Sequence, residues 1–145
     1  AVEHRWVEEL NAMNAMFVWQ RNGRTVLSTP PLSGTILEGV TRDSLLELAR
    51  QQGGDIGIDE VLEEPTSIEA VRAGIEAGEL REMFACGTAA VIVPVGRLID
   101  ADVTRTVGDG EPGSVTMALR SALLDIQYGR AVDTRGWMRT IEPVA

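Results

Sequence analysis

The chain has 145 residues, 44% of them hydrophobic, and carries 22 acidic against 13 basic residues for a net charge of −9. That length suits one domain with its own core and is short for two. The acidic balance, with an isoelectric point near 4.6, argues against a surface that tracks nucleic-acid phosphates. The longest apolar run, Ala89 to Val95, contains a proline and falls far short of the ~20 residues of a membrane span. Neither nucleic acid nor membrane is therefore expected as a partner. No basic segment followed by an apolar one opens the chain, and Cys86 has no second cysteine to pair with, which suits a reducing cytoplasm. All 13 residues counted as lysine plus arginine are arginines, so the chain has no side-chain primary amine.

In chain order, the apolar-rich runs 4–10 and 15–19 predict two strands around a tight connection at 11–14. Asn22-Gly23 predicts a hairpin turn before a strand over 25–28. Pro30-Pro31-Leu32-Ser33-Gly34 must be irregular. Leu45, Leu46, Leu48 and Ala49 lie at helical spacing, with Thr41 expected as N-cap and Gly53-Gly54 as the stop. Ile56, Ile58, Val61 and Leu62 suggest a strand, 67–76 a helix capped by Ser67, and 80–84 a strand after Gly78. Residues 90–93 read as a buried strand, 102–107 as an edge strand and 108–113 as a loop. A last helix spans about 114–127. Helices scattered among more numerous strands predict a mixed α/β domain.

Three places could carry chemistry. Glu9 stands in an apolar strand context, although a solvated strand-face glutamate explains it as well. Gly39-Val40-Thr41 precedes a helix whose free N–H groups and Thr41 hydroxyl could hold a phosphate, or could be an ordinary helix cap. Cys86-Gly87-Thr88-Ala89-Ala90 is a small-residue run through which a backbone could approach an anion, or a tight strand connection. Cys86 reads as a small buried hydrophobe. His4 has no partner at a recognisable spacing, and no His/Cys cluster suggests a metal.

Four stretches together resemble the fold-type IV pyridoxal-phosphate enzymes, and within them the branched-chain amino acid aminotransferases. They are residues 8–14 (EELNAMN), 30–43 (PPLSGTILEGVTRD), 82–95 (EMFACGTAAVIVPV) and 125–130 (DIQYGR) with Trp137. The resemblance covers essentially the whole chain. It departs from the family at Asn11 and Ala12, where glycines are common, at Glu38, often proline, and at Ala90 and Val93, where mammalian members carry paired cysteines.

The resemblance implies a D-amino acid aminotransferase-like large domain, a mixed β pseudo-barrel flanked by helices, spanning residues 1–145 as the C-terminal cofactor-binding half of the enzyme. It places Glu9 at the pyridine nitrogen of pyridoxal 5′-phosphate and Leu37 against the ring. Gly39, Val40, Thr41 and the Thr88 side chain fall at the phosphate, and Ala12, Gly87, Thr88 and Ala89 on the substrate side. The family's lysine, which holds the cofactor and shuttles the proton, would belong to an N-terminal domain outside this chain, so transamination by the chain alone is not expected. Branched-chain amino acids, 2-oxo acids, that N-terminal domain and a second copy in a homodimer are the implied partners. Alternatives are half of a D-amino acid aminotransferase or aminodeoxychorismate lyase, or a non-catalytic binding or assembly protein.

Overall fold

The computed structural model describes residues 5–100, 102–139 and 141; His4 lies outside them. Among the described residues three helices and seven strands form a mixed α/β domain, as the sequence predicts. Strands β1 (Asn14–Arg21), β2 (Arg24–Thr29), β3 (Glu60–Glu63), β4 (Leu80–Gly87) and β5 (Val91–Pro94) make one sheet in the order β3-β2-β1-β4-β5, and β6 (Arg97–Asp100) pairs with β7 (Val103–Thr106). All pairings are antiparallel except β2 with β3, which helix α1 (Val40–Ile56) joins by a crossover, the connection a parallel pair needs.

Side chains alternate across a strand, and β1 is covered on both faces. Met16 and Val18 join Leu45, Leu46, Leu48 and Ala49 of α1 and Val115, Leu119, Leu123 and Ile126 of α3 (Ser114–Gln127). Ala15, Phe17 and Trp19 pack on the other side with Val71 of α2 (Ile68–Glu76), Leu80, Met83 and Val107.

Several boundaries differ from expectation. The opening run is not a strand: its β-pairing is limited to isolated bridges, Trp6 with Ser67 and Glu9 with Asn14. The tight connection is real. Leu10 and Met13 exchange backbone hydrogen bonds around Asn11 and Ala12, at φ 50° and 62°, the paired positive angles of a type I′ turn. Thr41 is not the cap of α1, because Gly39 is. Gly53-Gly54 does not stop the helix, which runs on to Ile56 and ends at Gly57, φ 86°. Gly53 instead lets Ile58 come close: a Cβ there would lie 2.8 Å from the Ile58 carbonyl oxygen. Ile56 is accordingly helical rather than in a strand, and β3 starts at Glu60. The strand expected from residue 90 begins at Val91, and β6 went unpredicted. Ser67 caps α2 by accepting the Ala70 N–H.

Candidate functional site

The ends of β2, β1 and β4 and the start of α1 meet at one edge of the sheet, where Asn14 pairs with Cys86. Asn14 organises that edge. It is buried, its Nδ2 donates to the Leu37 carbonyl at 3.0 Å, and its strand neighbour across the turn is Glu9. Glu9 Oε1 in turn accepts the Leu37 N–H at 3.0 Å. Both polar groups of the Leu37 peptide bonds are thus held by two side chains placed face to face by the type I′ turn. Glu8 reaches the same loop further out, accepting from Thr35 Oγ1 at 2.8 Å.

Gly39 follows two residues later. A Cβ on it would overlap Asn14 Oδ1, so the glycine is what lets the loop lie against Asn14. Gly39 offers no side chain to the first turn of α1, and the helix has no side-chain cap. Its leading N–H groups, with the Thr41 hydroxyl beside them, are therefore not taken by a capping side chain, and Val40 stands 78% exposed. An uncapped helix start of this kind favours an anion through donors and dipole together.

The third predicted segment leaves β4 at Gly87, where a Cβ would sit 3.4 Å from the Met13 side chain, and turns through Thr88, Ala89 and Ala90, all exposed. Val91 closes that turn at φ 59°. A β-branched residue in the left-handed region is strained, so the turn is held by the β4–β5 pairing around it rather than by local preference. Ala12, at the tip of the I′ turn, is exposed as well.

Glu9, Leu37 and Gly39 are thus brought together directly through Asn14, and Gly87 approaches the same turn through Met13. Asn14 itself was missed by the sequence reading; its signal was a polar residue opening a wholly apolar strand. Also missed was Arg42, which is 4% exposed. Its Nη2 donates to the Pro30 carbonyl at 2.9 Å and to Glu63 Oε2 at 2.7 Å, while Arg50 holds Glu63 Oε1 at 2.7 Å. Hydrogen bonds from Arg42 and then Arg50 lower the Glu63 carboxyl below its ordinary value. Burial pushes the Cys86 thiol up to about 12, so it stays protonated and is no nucleophile at neutral pH.

A cavity of about 590 Å³ lies elsewhere, between Gln20, Thr25, Arg81, Glu82 and the 108–114 segment. Its lining includes none of the predicted site residues. Among the described residues no helix is long and apolar enough to cross a membrane.

The family profile described as class IV amino-transferase matches residues 3–98. A probable branched-chain-amino-acid aminotransferase of Streptomyces coelicolor is 50% identical over 97% of the chain and 36% of the relative's length. The branched-chain amino acid aminotransferase of Escherichia coli superposes with a TM-score of 0.71 at 33% identity, over 91% of this chain and 38% of that one. The Thermobaculum terrenum enzyme of the same name, solved in its PLP form, gives 0.66 at 33% identity, over 87% and 35%. The chain spans little more than a third of these relatives. With a family profile matching about two thirds of its length and a fold shared with solved members, the chain belongs to the class IV aminotransferases.

Proposed function

We propose that this chain is the cofactor-gripping half of a cytoplasmic branched-chain amino acid aminotransferase, which moves amino groups between leucine, isoleucine or valine and 2-oxoglutarate and works as a homodimer. The observation that carries the reading is the start of α1, uncapped and fixed to Glu9 through Leu37 and Asn14. The donor set fits pyridoxal 5′-phosphate: helix N–H groups and a hydroxyl for a phosphate, and a carboxylate for a ring nitrogen.

In this reading the Val40 and Thr41 N–H groups and the Thr41 hydroxyl would hold the phosphate, joined by the Thr88 hydroxyl. Leu37, 71% exposed, offers an apolar surface to the ring. Glu9 keeps the ring nitrogen protonated by accepting its hydrogen bond, and its own orientation is set by the Leu37 N–H. Thr88 and Ala89 would present backbone N–H groups to a substrate carboxylate, with Gly87 and Ala12 on the same side. When bound, the cofactor supplies the electron sink for the substrate Cα. A lysine must come from a domain outside this chain, which has none.

The test is amino transfer by a longer protein that joins this chain to a lysine-bearing N-terminal domain, with leucine and D-alanine compared as donors. Leucine should be preferred, and Glu9→Gln should lower kcat at least tenfold, whereas Glu8→Gln should change it less than twofold, since one carboxylate faces the nitrogen. Preference for D-alanine, or equal mild losses at both glutamates, would sink the reading.

A further inference from the structure

We infer that Arg42 is a positioning residue for the bound phosphate, setting the shape of the Gly39–Thr41 cradle by pinning the loop that runs into it. This rests on the reading of the α1 start as a phosphate site.

Arg42 closes the loop that shapes the cradle. Gly39, Val40, Thr41 and Arg42 are consecutive, and the Arg42 guanidinium returns to the carbonyl of Pro30, where that loop leaves β2. The span from 30 to 39 is therefore pinned at its start by Arg42, near its end by Asn14 and Glu9 on Leu37, and continues without a break into the helix. Glu63, on the strand parallel to β2, holds the same Nη2. A guanidinium with two fixed acceptors presents a rigid fork that a flexible ammonium would not.

Arg42 and Arg50 hold one oxygen each of the Glu63 carboxylate. The Arg50 end is half-exposed and water screens it. The Arg42 end is buried, and its Nε has no hydrogen-bond partner among the described residues. Glu63 is therefore the charge partner that fixes the buried guanidinium, and weakening it loosens the Pro30 anchor with it.

The experiment compares binding of pyridoxamine 5′-phosphate with that of pyridoxamine by titration calorimetry, on the 145-residue chain and on Arg42→Met and Glu63→Gln. Pyridoxamine 5′-phosphate needs no lysine, and the pair of ligands isolates the phosphate. The wild-type chain should prefer the phosphorylated ligand. Arg42→Met should cut that preference about tenfold and Glu63→Gln about threefold, with pyridoxamine affinity unchanged. Far-UV circular dichroism checks the fold, and Glu63→Gln, which leaves the guanidinium in place but slackens its anchor, decides the matter should Arg42→Met not fold. Equal losses for both ligands would mark Arg42 as merely structural and overturn the inference, as would an unchanged preference in both variants. A wild-type chain with no preference for the phosphorylated ligand would bring down the phosphate reading itself, and this inference with it.

Discussion

Gly39 holds an ordinary backbone angle, φ −71°, so conformational freedom is not why a glycine stands there. The space is: its missing Cβ is where Asn14 Oδ1 lies. Gly39→Ala should push the Asn14 amide off the Leu37 carbonyl, at a cost of about 1–3 kcal/mol for a displaced buried polar group. Asn14→Ala empties that space. In urea unfolding, the double variant should therefore be no less stable than Asn14→Ala alone, a non-additive result expected only of residues in contact. Strict additivity would show that the two do not compete for one volume. Glu9, Leu37 and Gly39 were legible from the family-like stretches that contain them. Asn14 and Arg42 were not, because their significance lies in partners 23, 12 and 21 positions away, and a spacing that long leaves no periodic trace.

The Ser67 cap of α2 and the 114–127 span of α3 were legible, but the ends of α1 were not. A Ser, Thr, Asp or Asn before an apolar run is the usual starting signal, but here the run starts from a glycine that leaves the first turn without a side-chain cap. At the far end Gly53 looked like a stop and proved to be a point of close approach. The third helix solves its own start differently. Gly113 at its cap has no side chain, and Glu82 on β4 reaches in to accept from Val115 N–H at 3.1 Å, Thr116 N–H at 2.7 Å and the Thr116 hydroxyl at 2.7 Å. A cap borrowed from another strand cannot be seen in a local sequence window. Glu82→Ala should leave these donors unmet beneath a buried Thr116, lowering stability by about 2 kcal/mol. Glu82→Gln, which keeps one acceptor, should lose about half as much by thermal unfolding. If the two variants matched each other and the wild type, the capping role of Glu82 would be discounted. The β6–β7 hairpin was half seen, since 102–107 alternates whereas Arg97–Asp100 shows no strand pattern of its own.

At the scale of the whole molecule, the mixed α/β class was legible because the helical and strand periods are distinct over most of the chain. The sheet order was not, since nothing local states that β1 pairs with β4 across two helices and two strands. That order puts β1 in the middle of the sheet, with an apolar layer on either side. Most strands have a forgiving face, where every second position accepts polar replacements. From residue 14 to residue 19 this one has none, with every residue at most 5% exposed. A scan of all substitutions, read out as folded yield, should show an uninterrupted trough over those six positions, with Phe17→Ala costing about 3–5 kcal/mol. A sawtooth of tolerated and lethal positions would mean that one layer is loosely packed. The trough would leave this short run the least free of the chain to vary, although none of its side chains has been given a ligand to hold.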